Sequence, residues 1–152
     1  MKYLVLVAGL MVAGCGSSDG GGDSPVEGAW QVSLTNGCVA TFVFEGNRFS
    51  DNYLCTLASG PYGMAIESGT FTTQGTEIDF LPTKASCPAQ EAAFTAPYSV
   101  SRENLWLTLG STVVVFQKAQ VGTVNGGAVI KTGCWDTTTN PYTFTPHAVQ
   151  EL

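Results

Sequence analysis

The sequence predicts an all-β fold, an antiparallel barrel or sandwich built from short consecutive strands. Apolar and polar residues alternate with a period of two over residues 26–118, as in strands that bury one face. Glycine and asparagine turn signals separate the runs, and no amphipathic helical pattern competes with them. Only 12% of residues are charged, and glycine, serine and threonine are plentiful, which favours a β protein over a helical one.

The strands are assigned in chain order from these runs and from the turns between them. Prolines at both ends and in the middle of residues 82–97 indicate a long connection, with room for one helical turn. Its length separates an N-terminal group of hairpins from a C-terminal one. The predicted strands are residues 29–34, 38–45, 48–57, 64–73, 76–81, 96–101, 105–109 and 112–118.

A two-residue turn at Gly46-Asn47 sets the register of the second and third strands and places Cys38 opposite Cys55. The two cysteines fall at a non-hydrogen-bonded position, where side chains approach most closely. That approach suits the Cβ separation of about 3.5–4.5 Å in a disulfide. We therefore predict a Cys38–Cys55 disulfide, and by elimination Cys87–Cys134, in an oxidising compartment.

A turn at Gly110-Ser111 predicts a hairpin that is apolar on both faces. Trp106 then faces Val115 on the side away from the core, so we expect the tail of residues 119–152 to cover that side. The inward pairs are Leu105 with Phe116 and Leu107 with Val114, and a turn at Gln74-Gly75 similarly pairs Phe71 with Ile78 and Thr70 with Asp79.

Gly28-Ala29-Trp30 opens the first predicted strand, and the hairpins follow it without interruption. Together with residues 67–71, 76–80 and 98–109, this pattern resembles the lipocalin-like proteins, specifically the small bacterial ones, over roughly residues 28–118. The resemblance implies an up-and-down barrel of about eight strands, closed at one end by the tryptophan packed against a basic residue. Lys118 lies nearest to that role, where the family usually has arginine, and the tail looks irregular or extended instead of helical.

The N-terminal residues combine Lys2, an apolar stretch and the run Val12-Ala13-Gly14-Cys15. The stretch is too short for a membrane-spanning helix, which needs about 20 residues, and suits a signal peptide. The run resembles the lipobox of bacterial lipoprotein precursors. The resemblance implies that residues 1–14 are removed and that Cys15 carries a diacylglyceryl group and palmitate-type acyl chains, which anchor the protein in a membrane.

Three segments follow from this assignment: a signal peptide at residues 1–14, the lipidated cysteine and a flexible tether at 15–25, and a lipocalin-like β domain at 26–152. The domain includes an irregular C-terminal segment. Gly16, and not an aspartate, follows the lipidated cysteine. By the sorting rule of enteric bacteria, this favours the outer membrane as the location in the cell envelope.

The inward side chains are candidates for a ligand pocket, because an eight-stranded barrel is just wide enough to be filled or to hold one ligand. Trp30 is either a plug beneath a cavity or a core residue, and we favour the core. Asp51, opposite Phe42, is either a polar contact for a ligand or the result of a twist or bulge near the rim, which we favour. The candidate lining residues are Trp30, Phe42, Phe44, Phe49, Tyr53, Leu105, Leu107 and Phe116.

The remaining motifs argue against catalysis, metal binding and nucleic-acid binding. The net charge of −6 disfavours nucleic acid, whose phosphates need Lys and Arg. The only histidine, His147, has no G-x-S-x-G motif to support it, and Glu77 with Asp79 is interpreted as a solvated strand face. Zinc is disfavoured because no C-x-x-C pair occurs. No cofactor motif is present.

Two non-enzymatic function classes remain for this membrane-anchored domain. The first, which we favour, is a binding protein that holds a small apolar ligand inside the barrel. The second is an envelope-structural or interaction protein with a packed barrel, no cavity, and an exposed apolar patch around Trp106 or Trp135. No feature of the sequence identifies a protein partner.

Overall fold

The computed structural model describes residues 24–57, 62–87, 92–119, 130–139 and 141–152. The predicted signal peptide, the lipidation site Cys15 and the tether up to residue 23 lie outside these ranges. Among the described residues, no helix is long and apolar enough to cross a membrane. The strands of the described residues are β1 (Gly28–Ser33), β2 (Val39–Glu45), β3 (Arg48–Thr56), β4 (Tyr62–Gln74), β5 (Glu77–Ala85), β6 (Phe94–Val100), β7 (Asn104–Leu109), β8 (Thr112–Ala119), β9 (Ile130–Asp136), β10 (Thr143–Pro146) and β11 (Gln150–Glu151).

The first eight strands form a closed antiparallel barrel. Each strand pairs with the next along the chain, and β8 pairs back onto β1 through Ala29–Ala119 and Trp30–Lys118. Closure leaves none of these eight strands as a free edge along its whole length. The expected eight-stranded up-and-down barrel is confirmed.

Two of the three predicted hairpin registers are confirmed. The turn at Gly46-Asn47 places Phe44 opposite Phe49, and the turn at Gly110-Ser111 places Leu105 opposite Phe116. The register predicted for β4 and β5 is wrong, because Phe71 lies opposite Phe80 and the turn is formed by residues 75 and 76.

The position of the glycine explains this correction. Gly46, Gly75 and Gly110 have φ angles of 61°, 59° and 62°, and each is the first residue of its two-residue turn. Tight hairpin turns require a left-handed backbone there, which glycine adopts without steric cost. The correction moves the register by two residues, so every side chain of the hairpin stays on its predicted face.

The connection predicted at residues 82–97 is shorter than expected, because β5 continues to Ala85 and β6 begins at Phe94. Pro82 is accommodated beside an irregularity in the β4–β5 ladder between Ser68 and Gly69. A Cβ atom on Gly69 would collide with the carbonyl oxygen of Leu81 and with Pro82. Glycine therefore lets β5 cross β4 closely at this point.

Aromatic rings fill one half of the barrel interior. Phe80 is central, with its ring centroid 5.0 Å from that of Phe49 and 4.7 Å from that of Phe94. Phe42 and Phe44 stack at 5.7 Å, and both also lie within aromatic contact distance of Phe80. The buried core comprises Val26, Trp30, Phe42, Phe44, Phe49, Phe71, Ile78, Phe80, Ala96, Leu105, Leu107 and Phe116.

Trp30 closes this filled end. Its indole Nε1 donates a hydrogen bond of 2.7 Å to the carbonyl of Val26, and only 1% of the residue is exposed. Lys118 Nζ lies 4.3 Å from the centre of the indole ring and donates a 2.7 Å hydrogen bond to the carbonyl of Glu27. The predicted contact between this tryptophan and Lys118 is confirmed, and so is the core location of Trp30.

The C-terminal segment is more regular than expected. β9 runs parallel to β4 through residues 130–132, and β10 adds antiparallel to β9. β11 pairs with the end of β5, where Lys84 and Glu151 also form a 2.7 Å salt bridge. The expectation that this tail covers the outer face of β7 and β8 is wrong, since its described strands pair with β4 and β5.

Gly28 permits the contact at the closed end, so replacing it should disturb Lys118. Gly28 has φ +115°, and a Cβ atom there would lie 2.7 Å from Lys118 Nζ. We expect Gly28→Ala to lower the free energy of unfolding by about 2–4 kcal/mol, from backbone strain and displacement of the lysine. Gly37→Ala is the control, because Gly37 has φ +79° but open space around it, and should cost only about 1–2 kcal/mol.

A double-mutant cycle measured by urea unfolding separates the cost of backbone strain at residue 28 from the cost of displacing Lys118. In a Lys118→Met background, the cost of Gly28→Ala should fall by about 1 kcal/mol or more, because there is no ammonium group left to displace. Strictly additive costs would show that the lysine is not coupled to Gly28.

Candidate functional site

The opposite half of the barrel holds a cavity of about 310 Å³. Phe42 and Phe116 form its floor and belong to the aromatic cluster that fills the closed end. Its size lies at the lower end of the range for small-molecule sites, which are mostly apolar with a few polar groups. The lining residues are Val32, Leu34, Ala40, Phe42, Asp51, Tyr53, Ala65, Cys87, Leu109, Val114, Phe116, Trp135 and Thr137.

The cavity exists because inward side chains on β2, β4 and β8 become smaller toward this end. Along β2 the inward series is Phe44, Phe42 and then Ala40, and along β8 Phe116 is followed by Val114. Ala65 continues the trend on β4. A barrel of eight strands is filled only where large residues project inward, so the change to alanine and valine leaves free volume.

The structure divides the predicted lining residues into two groups. Phe42, Tyr53 and Phe116 line the cavity. The other five do not, because their side chains are packed with one another and with Phe71 and Phe80 at the closed end. They are Trp30, Phe44, Phe49, Leu105 and Leu107, each at most 3% exposed.

Asp51 projects a carboxyl group into the cavity wall. The β2–β3 ladder runs without irregularity through the Phe42–Asp51 pair, so of the twist or bulge that we favoured from sequence, the bulge is not present in this ladder. Burial raises the pKa of Asp51 from 3.8 to about 7, and the charge of Glu67 adds to the increase. Glu67 is its register partner on β4, and burial raises its pKa as well.

The open end of the barrel near Asp51, which we call the mouth of the cavity, is held by the loop between β1 and β2 and by a pair of cysteines at disulfide distance. Asn36 donates a 3.2 Å hydrogen bond from Nδ2 to the hydroxyl of Tyr53, and its Oδ1 accepts one of 3.0 Å from the amide of Cys38. Cys38 and Cys55 have Cα atoms 4.3 Å apart. This is the pair predicted from the hairpin register, and it fixes the mouth ends of β2 and β3.

The C-terminal strands cover the mouth. Trp135 lines the cavity and donates a 3.1 Å hydrogen bond from Nε1 to the carbonyl of Gly63. A Cβ atom on Gly63 would lie 2.7 Å from the Trp135 ring and 2.8 Å from Phe144, so only glycine admits both rings. Trp135 and Phe144 contact each other at a centroid distance of 4.8 Å.

A buried serine and the second cysteine pair attach this cover to the barrel. Ser86 is fully buried, donates a 2.7 Å hydrogen bond to the carbonyl of Gly133 and accepts one of 2.9 Å from the amide of Ile66. Cys87 and Cys134 lie at disulfide distance, with Cα atoms 5.2 Å apart, as predicted by elimination. The mouth is therefore tied to β4 and to the end of β5 by covalent and polar contacts.

Sequence reasoning did not include six small or aliphatic lining residues, Val32, Leu34, Ala40, Ala65, Leu109 and Val114. It also missed three lining residues that belong to or are linked to the C-terminal cover, Cys87, Trp135 and Thr137. Their place depends on the parallel pairing of β9 with β4, which joins segments far apart in the chain. The available signal was the predicted Cys87–Cys134 link together with Gly63 and Gly133, whose lack of side chains admits the aromatic rings.

The motifs weighed for catalysis lie elsewhere. His147, Glu77 and Asp79 are not among the residues that line the cavity. Asp79 instead accepts a 2.6 Å hydrogen bond from Thr95. Within the described ranges, no three His, Cys, Asp or Glu side chains cluster in a way that could hold a metal ion.

The outer face of β7 and β8 carries an apolar patch around Trp106. Val113 is 59% exposed and Val115 is 42% exposed. Trp106 and Val113 border a shallow open hollow with Pro97 and Tyr98. Trp135 is packed against Gly63 and is half-buried, as Trp106 is, while the exposed valines lie beside Trp106.

This chain was compared with known protein families, curated proteins and solved structures. A solved structure of a lipocalin-like protein from Bacteroides uniformis ATCC 8492 is similar to this chain, with a TM-score of 0.43 and 19% sequence identity. The match covers 63% of this chain and 100% of the other. No protein-family model matches the chain, and no curated protein matches it. The fold itself is established by the closed ladder of strand pairs.

The buried carboxyl group predicts an unusual dependence of stability on pH. Because the pKa of Asp51 is higher in the folded state than its ordinary 3.8, the folded protein binds this proton more tightly than the unfolded chain. The resulting stabilisation is complete below about pH 4 and is lost as the pH rises through about 7. Asp51→Asn should therefore raise the free energy of unfolding on the order of 2 kcal/mol at about pH 8, a value reduced for solvent access through the mouth, and change it little at about pH 4.

Urea unfolding curves at both pH values test this expectation. Glu77→Gln is the matched control, because Glu77 is an exposed carboxylate on β5 outside the cavity. An Asp51→Asn variant that destabilises the protein at the higher pH would contradict the assigned environment.

Proposed function

We propose that the protein is a non-enzymatic binding protein that holds a small apolar ligand in the open half of its barrel. The cavity carries this proposal, since it combines free volume inside the barrel, mostly apolar walls and a floor of packed aromatic rings. Its mouth is held by two cysteine pairs at disulfide distance, which supports a preformed site. Small ligands gain most from sites that need little ordering on binding.

The alternative is an envelope-structural or interaction protein. That function predicts a barrel packed throughout, and the free volume between Ala40, Ala65 and Val114 disfavours it. The patch around Trp106 is the one observation on its side. A ligand-binding barrel can also present such a patch, so the cavity decides our preference.

We further propose that the chain is a lipoprotein tethered to the cell envelope, at the outer membrane. The support is the sequence alone: the run Val12-Ala13-Gly14-Cys15 after a short apolar stretch, and Gly16 after the cysteine. Residues 15–25 then act as a spacer that holds the barrel close to the membrane. Apolar molecules that partition into the membrane are within reach of a domain held there.

Filling the cavity should weaken ligand binding without changing the outer surface. N-phenyl-1-naphthylamine, a small apolar dye that fluoresces in dry surroundings, is the probe for the purified protein. Val114→Phe adds a ring inside the cavity and should weaken dye binding by about tenfold or more. Val113→Phe is the matched control, because the neighbouring residue faces outward and is 59% exposed.

The two variants separate the two candidate functions. Equal dye binding by the unmodified protein and both variants would place the dye outside the barrel and contradict the proposed site. If Val113→Phe alone changes dye binding, the patch around Trp106 is the surface that binds the dye. That result favours the interaction function over the binding protein with an internal cavity.

The lipid anchor is tested by replacing the acceptor cysteine. Cys15→Ser should eliminate incorporation of an alkyne-labelled fatty acid and move the protein from the membrane to the soluble fraction. Ser18→Ala, three residues downstream, should retain both the label and the membrane location. Labelling that persists in the Cys15→Ser protein would show that the run is not a lipobox.

A further inference from the structure

We propose that the ligand of this cavity is a cationic amphiphile, an organic amine whose head group pairs with Asp51 while its apolar body lies against Phe42 and Phe116. This inference rests on the proposed function and specifies the ligand class. It follows from what surrounds Asp51: an apolar cavity, a second acid, and, among the described residues that line the cavity, no basic side chain.

The wall opposite Asp51 is apolar. The carboxyl group shares the cavity with Leu109 and Val114 from β7 and β8, and with Val32 from β1. A ligand that contacted only these apolar walls would exclude water from the carboxyl group without giving it a hydrogen-bond partner. That would cost substantial free energy. A ligand with a donor group at that point removes the cost.

The charges around the site all have the same sign. Glu67 is the register partner of Asp51 on β4, and Tyr53 is the next inward titratable residue on β3. The other elements that line the cavity contribute no titratable side chain except the paired Cys87. Among the described residues, the salt bridges are Lys84–Glu151 and Arg102–Glu103, and neither involves Asp51 or Glu67.

A cation is favoured over a neutral hydrogen-bonding ligand by this arrangement. Two acids on adjacent strands repel each other when both are ionised, and a positive charge between them stabilises both. A neutral ligand can donate a hydrogen bond to one carboxyl group, but it does not offset the repulsion between the two negative charges. The net charge of −6 also favours the approach of cations over anions.

A head-group series in the unmodified protein tests the proposal. The probes are n-octylamine, n-octanol and octanoate, which share one apolar chain and differ only in the head group. We expect n-octylamine to bind about tenfold or more tightly than n-octanol in calorimetric titrations at about pH 8, and octanoate to bind weakest. In the Asp51→Asn protein the preference for the amine should fall to about twofold or less, while n-octanol binding is retained.

The pH dependence supplies a readout independent of any variant. n-Octylamine stays protonated over the range used, like the ammonium group of lysine with its pKa of about 10.4. Its affinity should rise between about pH 5.5 and 8.5 as Asp51 ionises, and binding near pH 7 should release a proton. Titrations in two buffers of different ionisation enthalpy measure that proton directly.

The outcomes separate this inference from the proposed function. If n-octanol binds as tightly as n-octylamine, the cavity is a ligand site but the amine preference is overturned. Tightest binding of octanoate overturns it as well. If none of the three probes binds and N-phenyl-1-naphthylamine does not bind either, both the inference and the proposed function fail.

Discussion

The limited volume inside an eight-stranded barrel is the constraint on which the rest of this structure depends. Such an interior is just wide enough to be filled by side chains, so the size of each inward residue decides whether space remains. Four phenylalanine rings from β2, β3 and β6 surround Phe80, and the rings of Phe71 on β4 and Phe116 on β8 pack against this group and help to fill the closed half. Farther along β2, β4 and β8 the inward residues are Ala40, Ala65 and Val114, and there the interior stays open. The cavity is thus a direct result of a gradient in side-chain size.

The two ends of the barrel are fixed by different means, which suits this gradient. At the filled end, burial of Trp30 and the contact of Lys118 with its ring hold β1 and β8 together. The open end has too little apolar contact to hold its strands by packing. The strands at that end are held instead by the two cysteine pairs, by the buried hydroxyl group of Ser86 and by the Trp135 ring. Cross-links and hydrogen bonds can fix a rim without filling the space beneath it.

Much of the barrel could be predicted from sequence, because its contacts are local. Glycine turns such as Gly46-Asn47 set the register between neighbouring strands, and that register alone placed Cys38 opposite Cys55. The stagger between distant strands is not encoded locally, so the sequence could not show where the phenylalanines meet and the cavity begins. The cover by β9 was missed for the same reason, since Ile130 of β9 pairs with Tyr62 of β4, far back along the chain. The β4–β5 register failed only through the choice of Gln74 over Thr76 as the partner of Gly75 in the turn.

Asp51 is the residue whose position inside the barrel departs furthest from what sequence and stability arguments predict. From sequence, an acid on an inward face conflicts with the period-two pattern, and the least demanding explanation is a local irregularity of the strand. The ladder there is regular, so the acid is placed inside the barrel at a cost in stability, next to free volume that is also costly. Two such costs at one position are typical of sites selected for binding, where local rules of folding are violated and compensated elsewhere. The compensation here is the aromatic cluster, which stabilises the barrel from its other half and lets the open half keep both its empty space and its charge.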